Sequence, residues 1–405
     1  MYKIVLYNLN TYIGGGETLL IRFALYLKKS NMPYVILCRK DSYIMDAARK
    51  YSLNMMLWPS KNDAFIYDKS DVEETIQSLP QRLINESIFF SFCMRDLTNL
   101  LILSLHSELN FRVFHGVYHP YDYRYLSSLN SKRKLYQNNY KSLLLKLHES
   151  RSVLFMNKKG FRSSIEVDTT IKEPIIHPIP ISIDRSKAFP KDTPLEHVVI
   201  CISRFTVGKI GAVISFLRLA KSSKHDRFIL IGNGSFIWLV EAYRKFWKLK
   251  NLDLCTDVTP DDLKNQISRA TIGYAQGTSI LEIAKYHKPV LIAPYSTLRD
   301  ILNVKFSSPG IFKIDGDSAD FGDYTVSDHG NFVPLLKQLE QVKSEYHHCA
   351  ELSHTAATGY DADKIFSAMV NDIQSGQAMS KSLTCHVPQA PFLKWCVKLI
   401  LRMLK

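Results

Sequence analysis

The chain has no Cys-x-x-Cys pair, no run of 18 apolar residues, no low-complexity tract and no short-period repeat. Its seven cysteines, Cys38, Cys93, Cys201, Cys255, Cys349, Cys385 and Cys396, stand singly, most of them among apolar neighbours. A zinc framework needs thiols paired at short spacing and a small secreted scaffold needs a dense, even set, so both are excluded; buried, reduced thiols in a reducing compartment are expected. The lack of a long apolar run excludes a membrane-spanning helix. The opening MYKIVLYNLN has no basic stretch followed by a sustained apolar core, so it reads as a strand and not as a secretory leader. No glycine-rich loop is followed by Gly-Lys-Ser/Thr, which excludes a P-loop. The stacked aromatic signature of RNA-binding sheets is missing too, and no nucleic-acid partner is expected. Negative charge is scarce: 38 Asp and Glu face 52 Lys and Arg, a net charge of +14 that points to an anionic partner.

What is present is an ordinary globular composition, 46% hydrophobic and 22% charged over 405 residues, enough for two or three domains. Strand-like and helix-like segments alternate. KIVLYN precedes a helix over 17–29 with Leu20, Phe23, Ala24 and Leu27 on one face; YVILC (34–38) precedes a helix near 42–51; SIFFSF (87–92), FRVFH (111–115) and SVLFMN (152–157) follow as strands. This alternation is that of a doubly wound parallel sheet. Between Glu173 and Pro194 the chain carries Pro174, Pro178, Pro180, Pro190 and Pro194, a texture that ends ladders and helices and is read as an inter-domain linker. The pattern then restarts, with strands at 197–205, 227–235, LDLC, 271–276 and 288–294 and helices between them. The fold class expected is α/β, with two Rossmann-like doubly wound domains: 1–185, 195–360, and a terminal segment 361–405.

Three consecutive glycines, Gly14, Gly15 and Gly16, lie between the first strand and the first helix. Glycine lets other groups approach the bare backbone, and amides at a helix start favour an anion. The loop therefore suits a phosphate or a substrate lying on the main chain. The bland alternative is a tight turn without a ligand. It is not a full dinucleotide fingerprint, because Leu19 occupies the third glycine position. In the second half, AQGTSILEIAKYHKPVLIA places Gly277, Thr278 and Ser279 at a helix start and Glu282 in its first turns. Hydroxyls there can cap the helix or donate to phosphate oxygens, and a carboxylate can accept from sugar hydroxyls. In SRFTVGK, Arg204 ends a strand and Lys209 lies five residues on, two cations suited to a diphosphate.

The order of GGGE, IPISID (179–184), SRFTVGK, LIGNGS and GTSILEIAKYHKPVL resembles the GT-B glycosyltransferases, specifically the family 4 group that uses nucleotide-sugar donors, in register over roughly residues 1–300. The resemblance implies two Rossmann-like domains facing a cleft, the donor mainly on the second and the acceptor on the first. It implies that Arg204 and Lys209 hold the donor diphosphate, that Gly277, Thr278 and Ser279 contact phosphate or sugar, that Glu282 binds the nucleotide ribose, and that Gly15 and Gly16 approach the diphosphate and donor sugar. It also implies a histidine near the donor sugar after a first-domain strand. FRVFHGVYHPYDY offers His115, at the strand end, and His119, in the loop and preferred because a substrate reaches it more easily. The implied chemistry is transfer with retention of anomeric configuration, without a metal or other cofactor, the nucleotide-sugar being a substrate. Two departures stand out. The family pairs glutamates eight positions apart, and the earlier position here is Tyr274; the lysine is usually followed directly by glycine, and here Ile210 intervenes before Gly211.

The Asp-x-Asp runs at 315–317 and 361–363 do not follow a strand in a metal-binding context and are set aside. The terminal PFLKWCVKLILRMLK puts Lys394, Lys398, Arg402 and Lys405 on one stripe beside Phe392, Trp395, Val397, Leu399, Ile400 and Leu401, a basic amphipathic helix that either lies on an anionic membrane surface or docks on the protein. A second basic region spans 131–151. Together they suggest a glycan or lipid-diphosphate-linked acceptor of bacterial surface polysaccharide or lipopolysaccharide assembly, handled by a cytoplasmic protein peripheral to the membrane. DADKIFSAMVNDI (361–373) is the expected late helix crossing back to the first domain. Other readings are a nucleotide-sugar epimerase of the same fold, and an NAD-dependent oxidoreductase. The oxidoreductase would want an acidic residue at the end of the second strand; Asp41 is nearby but follows Arg39 and Lys40. A non-enzymatic binder of anionic polymer could use the charge alone.

Overall fold

The computed structural model describes residues 4–11, 14–59, 69–80, 83, 86–106, 112–118, 142–165, 173–183, 196–297, 307–315, 318–319, 321 and 333–375. The chain divides into two compact units, Met1–Pro180 with Asp363–Lys405, and Ile181–Ala362.

The first unit is built on seven parallel strands: β1 (Ile4–Asn8), β2 (Tyr34–Cys38), β3 (Met55–Leu57), β4 (Ile88–Ser91), β5 (Arg112–Val117), β6 (Val153–Phe155) and β7 (Ile175–Ile176). Their spatial order is β3-β2-β1-β4-β5-β6-β7. β1, β2 and β4 are buried at every position, as expected of strands covered on both faces. The helices between them are α1 (Gly15–Lys29), α2 (Tyr43–Lys50), α3 (Lys69–Ser78), α4 (Met94–His106) and α5 (Lys158–Ser164). Leu20, Phe23, Ala24 and Leu27 of α1 are fully buried, the face that the sequence spacing predicts. Ser42 caps α2 by accepting from the Met45 amide at 3.2 Å.

Two sequence expectations change here. The stretch Glu173–Pro194 is not linker throughout, because β7 adds to β6 as the edge strand of the sheet. A two-residue edge strand beside prolines is where the lost amide donors do least harm. β5 runs on past His115 to Val117, so His115 lies within the strand, opposite Ser91 on β4 and Val153 on β6.

The second unit has five parallel strands, β8 (Val198–Ile202), β9 (Arg227–Ile231), β10 (Leu252–Cys255), β11 (Ile272–Ala275) and β12 (Val290–Ile292). Their order is β10-β9-β8-β11-β12. Its helices are α6 (Ile210–Ser222), α7 (Ile237–Phe246), α8 (Pro260–Arg269), α9 (Thr278–Ala284), α10 (Leu335–Ser344) and α11 (Tyr346–Thr358). Apolar clusters lie on both faces of this sheet, one around Phe216, Phe228 and Tyr274 and the other around Ile200, Ile229 and Leu281. The chain enters and leaves the unit side by side: Ile181 bridges to Asp361, donating to Tyr360 O and accepting from the Ala362 amide, both at 2.8 Å.

α12 (Ala362–Ser375) packs on the first unit. Phe366 stacks on Phe23 of α1 at 5.0 Å between centroids, Lys29 pairs with Asp363 at 2.9 Å, and His177 meets Asp372 at 2.6 Å.

Candidate active site

In an open parallel sheet, ligands collect beyond the carboxyl ends of the strands where the strand order reverses. In the second unit that point lies between β8 and β11, which pair in register with Ile202 opposite Ala275. Arg204 stands two residues beyond β8 and Gly277 two residues beyond β11. Paired strands run about 4.8 Å apart, so the two loops leave the sheet side by side.

The loop after β8 is held by its neighbours. Phe205 is fully buried; its amide donates to Asn233 O at 2.9 Å and its carbonyl accepts from the Phe236 amide at 3.1 Å. Arg204, next to this anchor, is exposed, and its guanidinium has no partner among the described residues. Lys209 is half-buried at the start of α6. Its ammonium lies close enough to Cys201, on β8, to oppose the burial that pushes that thiol up to about 12.

The LIGNGS glycines serve this loop through the backbone. A Cβ on Gly232 would overlap Ser203 O, and one on Gly234 would lie 2.6 Å from Phe205 O. Gly208 and Gly211 make room for the segment after β12: a Cβ on Gly208 would overlap the Tyr295 ring, and one on Gly211 would overlap Ser296 Oγ. Ser296 donates its amide to Gly208 O and accepts from the Gly211 amide, both at 3.0 Å. Gly211 is thus matched by a docked neighbour, while Ile210 fills the core. Tyr295 and Ser296 were not legible in the sequence, because nothing local marks a contact 85–88 residues away.

Beyond β11, Gly277 adopts φ 64° and ψ −142°, a conformation that an L side chain strains to reach, and it is the residue that caps α9. Thr278 and Ser279 are thus the first two residues of the helix and not its caps, which corrects the sequence expectation. Their hydroxyls have no hydrogen-bond partner among the described residues, and helix amides at these positions lack an intrahelical acceptor. Glu282 is half-buried and pairs with Lys285 at 2.6 Å. Lys285 is a member of the cluster that sequence reasoning missed; its i,i+3 spacing from Glu282 is the signal that could have found it.

Tyr274 is a core residue. It is fully buried on β11, its ring stacked parallel to Phe216 of α6 at 6.0 Å. A glutamate at this place would be an unpaired buried charge, so the earlier acidic contact that the resemblance implies has no counterpart at this position.

In the first unit, the helix begins earlier than its sequence pattern predicts. Gly14 is the N-cap and Gly15 and Gly16 are the first two helical residues. A Cβ on Gly15 or Gly16 would meet nothing within 4 Å, whereas one on Gly14 would lie 2.5 Å from Glu17 Oε2. Packing thus accounts for Gly14 but not for Gly15 or Gly16. Glu17, buried in the first turn, accepts from Asn8 Nδ2 at 3.3 Å and Asn10 Nδ2 at 2.5 Å, which ties the end of β1 to the helix start.

His115 is fully buried, with Nδ1 2.9 Å from Ser91 Oγ and no partner for Nε2 among the described residues. Burial pushes its imidazole down to about 4 from an ordinary 6.5. The unfolded chain binds a proton at this residue near pH 6.5 and the folded protein only near 4, so this contribution is fully present above 6.5 and is lost on acidification through that window. Unfolding titrations are expected to show a stability loss of about 3 kcal/mol between pH 7 and pH 4 that His115→Asn removes. His119 and residues 376–405, the basic terminal segment included, lie outside the described residues, as do 316–317 of the first Asp-x-Asp run. In the second run Asp363 is held by Lys29 while Asp361 is buried at the bridge to Ile181. No cluster of three His, Cys, Asp or Glu able to hold a metal occurs among the described residues.

No protein-family model matches the chain, and no curated protein matches it. Solved structures do. Alr3699/HepE from Anabaena, solved with UDP and glucose and with UDP-glucose, is 13% identical with a TM-score of 0.62 in the former complex, over 93% of this chain and 100% of its own. A glycosyltransferase from Rickettsia africae is 14% identical with a TM-score of 0.63, over 92% of this chain and 97% of its own. The lipopolysaccharide outer core galactosyltransferase WaaB is 14% identical with a TM-score of 0.57, over 93% of this chain and 99% of its own. At such identity the likeness is one of fold, and the α/β fold of this chain is that of the GT-B glycosyltransferases.

Proposed function

We propose that the protein is a glycosyltransferase of the family 4 type, moving a sugar from a nucleotide-sugar donor to a glycan acceptor with retention of configuration. The observation that carries this reading is that Arg204 and Gly277 follow the adjacent ends of β8 and β11 where the strand order reverses, with Lys209 at the start of α6 and Thr278 and Ser279 opening α9 ahead of the Glu282–Lys285 pair. In the reaction the bond between the anomeric carbon and the diphosphate oxygen breaks and negative charge grows on the leaving diphosphate. Arg204 and Lys209 stabilise that charge, and the Thr278 and Ser279 amides and hydroxyls donate to the phosphate oxygens. The reading assigns this work to side chains and not to a divalent cation. Glu282 accepts from the ribose hydroxyls, with Lys285 fixing its orientation. The complexes of HepE with UDP and UDP-glucose support a uridine donor.

On the first unit, Gly15 and Gly16 present bare backbone to a substrate. Alanine has a higher helix propensity than glycine by about 1 kcal/mol. Gly15→Ala and Gly16→Ala are therefore expected to raise the denaturant midpoint while lowering turnover at least tenfold. A rise in stability with unchanged turnover would remove both glycines from the site. His119, or His115 beneath the surface, is assigned to the donor sugar. The name of WaaB and the charge of +14 support a lipid-linked surface glycan as acceptor, on a protein peripheral to the inner face of the membrane. The described residues hold no helix long and apolar enough to cross one.

The test is hydrolysis and transfer across a panel of uridine, guanosine, adenosine and thymidine diphosphate sugars, with chelator present. Release of nucleoside diphosphate that survives chelator, with the α anomer transferred from an α donor, is the expected result. No turnover of any donor, or reduction of a nicotinamide instead, would overturn the reading.

A further inference from the structure

The outer face of α7 belongs to none of the groups assigned above. Val240 is the helix's one fully buried residue, and Tyr243 and Trp247 pack partly against the core of the second unit. Trp238, Ala242 and Phe246, at i, i+4 and i+8, share the opposite face. Trp238 is 62% exposed and Phe246 80%, the two most exposed large apolar side chains among the described residues. Residues 236–250 carry Arg244, Lys245, Lys248 and Lys250 against one acid, Glu241. Arg218 and Lys221 of α6 lie 5.9 and 5.3 Å from the Trp247 ring, beside the C-terminal end of α7.

We infer that this face of α7 is a docking surface for an anionic lipid membrane, with Trp238 and Phe246 entering the boundary between headgroups and acyl chains. The chemistry is complementary on both counts. The cations meet the headgroup phosphates, and the two aromatic side chains leave water for the apolar layer that headgroups overlie. A second copy of this chain fits the face poorly, because a two-fold contact would bring two stretches of the same net positive charge together. The inference rests on the peripheral location proposed above and names its surface, on a unit and helix distinct from the terminal basic segment. It does not depend on the donor chemistry.

The experiment uses the full chain with sucrose-loaded vesicles of phosphatidylcholine, with and without phosphatidylglycerol, and with brominated acyl chains as quenchers of tryptophan emission. Co-sedimentation at least tenfold stronger on the phosphatidylglycerol vesicles is expected. Bromine quenching that drops in Trp238→Phe is the specific signature. Trp238→Ser with Phe246→Ser should lower partitioning at least tenfold with an unchanged melting transition, since both side chains stand in solvent. Co-sedimentation with equal quenching in wild type and Trp238→Phe would overturn this surface while leaving the peripheral location standing. No co-sedimentation on either vesicle would overturn both. Binding to a soluble acidic polysaccharide that the double variant loses, without any quenching, would assign the face to a glycan and overturn the membrane proposal.

Discussion

Replacing Arg204 by alanine is expected to lower donor turnover by about a thousandfold, the scale of losing one group that stabilises a developing oxyanion. The residue is exposed, and its loop is fastened by the buried Phe205 and by backbone bonds to Asn233 and Phe236, none of which involve the guanidinium. The variant should therefore melt with the wild type. Arg204→Lys should recover only part of the rate, because an ammonium cannot make the paired contacts of a planar guanidinium with phosphate. If Arg204→Ala turns over donor within threefold of wild type, the cation at the end of β8 has no part in the chemistry.

The second large effect is on stability. Gly232→Ala should cost about 3 kcal/mol, at the upper end of what overpacking costs, because the added methyl has backbone in its way rather than a side chain that can turn aside. The obstructing atom is Ser203 O, so relief requires the Arg204 loop to move. Urea unfolding and turnover are thus expected to fall together in this variant, whereas Arg204→Ala lowers turnover alone. A Gly232→Ala protein with wild-type stability would mean that the β8 and β9 loops pack otherwise.

The strands buried on both faces were legible because they read as unbroken apolar runs: YVILC is β2 residue for residue, and KPVLIAP contains β12. β3 and β7 were not, since two or three apolar residues beside prolines or polar turns carry no period to count. The glycine run was legible as the junction of β1 and α1 but not in its parts. Gly14 answers to the buried carboxylate of Glu17, and only Gly15 and Gly16 face open space. In the second unit, the spacing of Arg204, Lys209, Gly277 and Glu282 was readable because each follows a strand whose end the apolar pattern marks. The hidden parts are those made by long-range packing. Tyr295 over Gly208, Ser296 against Gly211 and Tyr274 against Phe216 are visible only once the sheet is assembled. His115 looked like a strand end because the apolar pair before it stops there and Gly116 follows; Gly116 and Val117 nonetheless continue the ladder beside β6.

On the proposed function, the β8–β11 reversal of the second unit binds a nucleoside diphosphate through Arg204 and Lys209. Calorimetric titration of UDP into the full chain, in chelator and at fixed salt, tests it most directly, with GDP, ADP and dTDP as parallel ligands. One of them should bind at one site per chain, and Arg204→Ala with Lys209→Ala should weaken it at least a hundredfold while the melting transition holds. Equal affinity in wild type and double variant, or no binding of any of the four, would contradict the account.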